Sequence, residues 1–301
     1  MKFDFIKNRK IYFIISIAII VVTLACSFIF GVNLDIEFKG GTIITYSYEG
    51  DVDKAAFESA IENIVGNVSV SESNSIATGA TNLVVTLADN KGITPEIMEQ
   101  INVAVEETYS VKYVESSTVD PIIGTEMLLK SLVAVAVASV LMILFIGFRF
   151  RKIGGWSAGV CAVIALLNDI FVVFATFVIF GISIDTNFMA VVLTILGYSV
   201  NDTIVIYDRI RENRNTYGKE MGVVQLVNTS LNECLRRTIL TTLTTVSALI
   251  VVCIVALVFN VNSILSFTFP MMIGMIHGVY SSVAVAPQLW VLWQERKEAK
   301  Q

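Results

Sequence analysis

Six apolar stretches, residues 11–30, 131–148, 156–180, 188–207, 238–259 and 264–293, dictate what this chain can become. Each has at least the ~17 residues that a helix needs to cross a bilayer core. In hydrocarbon a spanning backbone must satisfy its own N–H and C=O groups, and single segments do so only as helices. Composition agrees, with 55% apolar and 16% charged residues and a mean hydropathy of +0.73, outside the usual range of soluble domains. The expected fold class is an α-helical membrane protein with six transmembrane helices. Lys7, Arg9 and Lys10 precede the first stretch as in a secretory signal, but its twenty apolar or small residues exceed the ~7 to 15 of a signal core, so a retained anchor is expected.

Orientation follows from the basic residues, which favour the cytoplasmic side. Sixteen of the 21 fall before the first stretch, between the second and third, between the fourth and fifth, or after the sixth, all on one side. Region 31–126 holds sixteen acidic and four basic residues and is expected to face outward, with both termini inside. The expected organisation is an inner N-terminus and first helix over 1–30, an outer domain over 31–126, five further helices over 127–293 with an inner loop at 209–237, and an inner tail over 294–301. All four cysteines lie in spans or in the inner loop, which indicates no disulfide framework and no cysteine metal site.

Within the outer region, residues 42–48 read as a strand. Phe57, Ala60, Ile61 and Ile64 recur at helical spacing behind Asp51 and Asp53, either of which suits a helix cap. A weak strand over 67–76, a turn at 78–81 and alternation at Leu83, Val85 and Leu87 follow. Thr94-Pro95 starts a second helix with Ile97, Ile101, Val105 and Thr108 on one face, and 111–117 closes as a strand. The order β-α-β-β-α-β predicts a ferredoxin-like domain. No nucleophile, metal cluster or cofactor motif accompanies it, so no enzyme activity is expected, and its acidic surface reads as a solvated face or as one that handles basic or unfolded segments.

Carboxylates interrupt the hydrocarbon. Asn168-Asp169 lies in the third stretch and Asn201-Asp202 in the fourth, each pair expected to point into the bundle. An ionised Asp at the middle of a bilayer costs at least ~2.5 to 3.5 kcal/mol, so such groups face a protein interior or watery cavity and mark ion or proton routes. A carboxylate in a poorly solvated site also binds and releases a proton more readily near working pH. The alternative is that each Asp only fastens helices through hydrogen bonds. Arg237, close to the fifth apolar run, is placed to turn inward and neutralise Asp202, whereas Arg236 reads as a topology anchor. Gly274, Gly278, Ser281 and Ser282 form a small-residue face suited to close helix approach, and His277 among them reads as a packed group rather than a proton carrier. The sequons at Asn67 and Asn201 carry no weight as glycosylation sites.

The run Asn201-Asp202-Thr203-Ile204-Val205-Ile206-Tyr207-Asp208-Arg209-Ile210-Arg211-Glu212-Asn213 closely resembles the signature of the SecF side of the SecD/SecF protein-export family. Phe38-Lys39-Gly40-Gly41-Thr42, Asn228-Thr229-Ser230-Leu231, Arg237-Thr238, Thr244-Thr245 and Tyr280-Ser281-Ser282 are similar to further family motifs, so the resemblance covers most of the chain. It implies a half-transporter of the resistance-nodulation-division superfamily, in a bacterial plasma membrane, whose six helices pair with six from SecD. It further implies that Asp202, Arg237 and Asp169 are ion-coupling residues, with Asn168, Asn201 and Thr203 as polar support and H⁺ or Na⁺ as the coupling ion in place of any cofactor. SecD, the SecYEG channel, the SecA ATPase, unfolded preproteins and the lipid bilayer are the expected partners, and nucleic acid is not. The chain departs from the family at Asn168, where His is common, at Glu37, where Asp is, at Asp35, where Gly is, and at Arg236, where a small residue is. Two other functions remain: a small-molecule exporter half of the same superfamily, and an intramembrane aspartyl protease with Asp169 and Asp202 as its dyad. The first usually has two halves in one chain, and the second carries Gly-x-Gly-Asp where this chain has Ser199-Val200-Asn201-Asp202.

Overall fold

The computed structural model describes residues 3–48, 52–66, 68–74, 81–87, 93–218, 220–259 and 261–299. Six helices among them are long and apolar enough to span a membrane. They are α1 (Arg9–Phe30), α5 (Pro121–Arg149), α6 (Gly155–Ile179), α7 (Thr186–Tyr217), α8 (Val223–Val258) and the continuous pair α9 (Asn262–Tyr280) and α10 (Ala286–Glu298), joined by a π-helical turn at Ser281–Val285. Half of the most apolar window of α6 and of α7 is buried within the chain, against 11% in α1 and α5. The core of the bundle is thus α6, α7 and α9, and the others present apolar flanks outward.

Between α1 and α5 lie α2 (Ile36–Lys39), β1 (Gly41–Tyr48), α3 (Lys54–Val65), β2 (Val68–Asn74), β3 (Thr81–Leu87), α4 (Pro95–Tyr109) and β4 (Val111–Val119). The strands form one antiparallel sheet in the order β2-β3-β1-β4. Period-two alternation turns Ile44, Tyr46, Leu83, Val85 and Leu87 to the same side, where Phe57 and Ile61 of α3 and Ile101 and Val105 of α4 close the core. Asp53 caps α3 by accepting from the N–H groups of Ala55 and Ala56, and Pro95 opens α4 at a position where its missing N–H costs nothing. Asp51, Asn67 and residues 78–80 of the expected 78–81 turn lie outside the described residues, and Thr81 opens β3.

The sheet is tied closely to the helices. Asp35 N–H donates to the Ile184 carbonyl at 3.0 Å and Ile184 N–H to the Asn33 carbonyl at 2.8 Å, while Glu37 Oε2 accepts from both the N–H and the hydroxyl of Thr186. Phe38 packs into the apolar core of α6 and α7. Gly40, at φ 80°, passes so near the start of α5 that a Cβ there would lie 2.5 Å from the Pro121 Cα.

Three expectations need correction. Residues 209–237 are not a loop: α7 runs on to Tyr217 and α8 begins at Val223. The hydropathy ends before the helices do because the extensions are solvated and held by charge, with Arg209 pairing to Glu212 at 2.6 Å and to Glu233 at 2.7 Å, and Asp208 to Arg211 at 2.6 Å. Arg236-Arg237 accordingly sits well inside α8 rather than opening a helix. Asn201 does not point inward with Asp202; it is exposed, because neighbouring helical residues face ~100° apart.

Candidate functional site

Asp169 lies fourteen residues into α6, about 21 Å from its start at 1.5 Å per residue. It is fully buried. Its Oδ2 accepts from the Ser199 hydroxyl of α7 at 2.7 Å and from the Ser281 hydroxyl at 2.8 Å. Its Oδ1 lies 2.7 Å from His277 Nδ1 on α9. The π turn helps assemble this group: Ser281 and Ser282, adjacent in sequence, are both wholly buried, and both hydroxyls lie 3.4 Å from that of Ser199. Such turns recur at functional sites. Thr203 donates to the Ser282 hydroxyl at 3.0 Å, which donates to the Ser199 carbonyl at 3.0 Å. Close approach is possible because Gly278 faces Ser199, where a Cβ would sit 3.3 Å from the serine side chain.

Asn168 turns the other way. Its amide donates to the Ser16 carbonyl of α1 at 3.3 Å. Tyr280 fastens the same helix, donating to the Tyr12 carbonyl at 2.6 Å. The two residues link α1 to the core rather than joining the group around Asp169.

Asp202 is buried on the inner face of α7, and its Oδ2 has no hydrogen-bond partner. Among the described residues no ion pair reaches it. The field of Arg237 does, but that side chain is exposed and lines a cavity of about 480 Å³ with Arg149, Asp208 and Glu233, open at the end of the bundle where α7 and α8 extend beyond their apolar runs. The expected Asp202–Arg237 contact is therefore not made in this conformation. Asp169 and Asp202 share no hydrogen bond either, and the oxygens of Asp169 are occupied by serine and histidine donors. That is not the shared-proton geometry of a carboxylate dyad. Asp208 and Arg209 act as clasps between helices, and Phe38, Gly40 and Gly41 form the root of the sheet.

The sequence puts His277 on the small-residue face but does not give its partner. His277 touches a residue 108 positions away, and only its place one helical turn before Ser281, on a face of small residues, hints that it looks into the core.

A sequence profile described as "Protein export membrane protein SecD/SecF, C-terminal" matches residues 99–296. The protein translocase subunit SecF of Sebaldella termitidis is 32% identical over 100% of this chain and 95% of its own length. The chain belongs to the SecD/SecF family. It is a SecF-type subunit of the Sec protein-export machinery. Protein translocase subunit SecDF of Bacillus subtilis is 31% identical over 99% of this chain, which spans only 39% of that longer relative. A crystal structure of SecDF from Thermus thermophilus, described as a translocon-associated membrane protein, superposes with a TM-score of 0.81 at 27% identity, covering 98% of this chain and 39% of the other. A SecDF structure in a super-membrane-facing form gives 0.70, also at 27% identity, over 100% and 40%. The SecF assignment and six apolar helices beside a small sheet agree with what the sequence predicts.

Proposed function

We propose that this SecF-type subunit pairs with SecD and uses an ion gradient, H⁺ or Na⁺, to drive late movement of unfolded preproteins after SecYEG and SecA have started them across the plasma membrane. The carrying observation is Asp202, a buried carboxyl with an unpartnered oxygen and a cationic side chain, Arg237, waiting in a nearby cavity. An ionised carboxylate left unpaired at that depth costs several kcal/mol. It is relieved either by binding the coupling cation or by drawing Arg237 inward, and alternation between the two is a charge switch. Each 100 mV of potential supplies about 2.3 kcal/mol per charge moved.

The same account places both termini in the cytoplasm and the four-stranded sheet outside. The element order with strand order β2-β3-β1-β4 supports a ferredoxin-like domain. That domain would grip the emerging chain and swing, while its root stays strapped to the α6–α7 connection. Relatives in which SecD and SecF form one chain support SecD as partner. So does the exposed Asn201 at membrane depth, which needs a polar or protein neighbour. Asp169 counts among the ion-coupling residues, with Thr203 as polar support through Ser282. No covalent step is involved, and the similarity to SecF subunits along the whole chain favours this function over a small-molecule exporter half.

Inside-out membrane vesicles test the proposal. Export begun by ATP should be completed faster when a proton or sodium gradient is imposed, and dissipating that one gradient should remove the stimulation. Equal completion with both gradients dissipated would refute ion coupling.

A further inference from the structure

Asp169 and His277 are joined more tightly than helix fastening requires, and one atom of the pair is left open. Three donors or ring nitrogens converge on the carboxyl at 2.7 to 2.8 Å, yet His277 Nε2, also buried, has no partner. The hydroxyl protons are accounted for: Ser199 and Ser281 each give theirs to Asp169, Thr203 gives to Ser282, and Ser282 to the Ser199 carbonyl. None is left for Nε2. We infer that Asp169 and His277 form a single proton-binding unit that takes up its proton at His277 Nε2.

The proton count supports this. With one proton on the Nδ1–Oδ1 bond, the pair holds a net charge of −1, the imidazole donates to an ionised carboxylate, and Nε2 carries a bare lone pair. Adding a proton brings the net charge to zero. The shared proton then sits nearer Nδ1, as imidazolium and carboxylate, or nearer Oδ1, as neutral imidazole and acid. In both arrangements the added proton is on Nε2.

The ionisable groups that bear on the pair are few. Asp169 faces it from α6, and Tyr280 of its own helix lies with its ring 5.2 Å away, backed by Tyr12 of α1. Toward the pair α7 offers Ser199, with Asp202 three residues further along. On α8, Glu233, Arg236 and Arg237 lie in its first half and Cys253 near its end.

This inference rests on the ion-coupling account but fails separately from it. His277 is the only histidine in the chain, so full-length protein labelled with ¹⁵N-histidine, purified without a polyhistidine tag and reconstituted into liposomes, reports this one side chain by solid-state NMR. On the alkaline side the proton should sit on Nδ1 with Nε2 unprotonated, and acidification within the folded range should protonate Nε2. Asp169→Asn should weaken the preference for the Nδ1–H tautomer, and Ser281→Ala should do so less. A neutral form with its proton on Nε2, or an Nε2 that stays unprotonated throughout, would overturn the inference. Asp202→Asn should leave these signals in place. A wild-type Nε2 that never protonates, alongside export abolished by Asp202→Asn, sinks this inference alone; the converse pair of results sinks the coupling account.

Discussion

Close packing of α9 on its neighbours leaves no free space for a side chain at Gly274. A Cβ built there falls well inside van der Waals contact of the Ile195 Cδ1 and lies 2.8 Å from the Val173 Cγ2. Both neighbours are fully buried, so they can give way only by pressing into their own packed surroundings. Gly274→Ala should therefore cost about 2 kcal/mol, within the ~1 to 3 typical of overpacking. Ile195→Val, which deletes the clashing methyl, should cost ~0.5 to 1.5 kcal/mol alone. Together the two changes relieve each other, so the double variant should lose less than about 2 kcal/mol, rather than the ~3 of simple addition. Unfolding in mixed detergent micelles, followed by circular dichroism, measures all three. Additivity within ~0.5 kcal/mol, the behaviour of independent sites, would refute the contact.

Asp53→Ala removes a cap that accepts two N–H bonds. It should cost about 1 kcal/mol and speed hydrogen exchange in the first turn of α3; unchanged exchange there would count against the cap. Asn201→Ala should leave the stability of this chain within ~0.5 kcal/mol, as for other exposed positions, while reducing copurification of a second six-helix subunit. Full recovery of that partner would show that Asn201 faces lipid. Asn262 of α9 donates to the Glu72 carbonyl of β2 at 3.5 Å, so a Glu72→Cys, Asn262→Cys disulfide should lock sheet to membrane helices. Oxidation should stop late export while the complex stays assembled; normal export after quantitative crosslinking would exclude a swinging domain.

Much of this architecture was legible in sequence because its determinants are local. Apolar length announces a membrane helix, and the alternation at Leu83, Val85 and Leu87 matches β3, with all three buried. Asp53 and Pro95 mark where α3 and α4 begin. What escaped depends on partners distant in sequence. The four-residue α2 has too short a pattern to read and is held by Glu37 reaching Thr186. The extensions of α7 and α8 are fixed by Arg209, Glu233 and Asn213, polar residues that hydropathy scores as loop. For Asn201 and Asp202, spacing alone was informative: Asp202 shares its face with Ser199, Ile195 and Ile206, all buried, and Asn201 falls off it. The small-residue face of α9 does serve close helix approach, and it is filled within the chain by Ser199 and Ile195. The partner of His277 was not legible because a lone histidine gives no sign of what it contacts.

The most direct test of the account is Asp202→Asn. Asparagine keeps the size and hydrogen-bonding capacity of the side chain but cannot take a negative charge, so it neither binds the coupling cation nor attracts Arg237. In inside-out vesicles carrying the intact export complex, ATP-driven initiation should proceed, gradient-stimulated completion should be lost, and Asp202→Glu should retain part of it. Arg237→Ala should give a similar defect, and the double variant should be no worse than either. If Asp202→Asn completes export with the wild-type dependence on the gradient, Asp202 is a structural group and the charge switch is wrong.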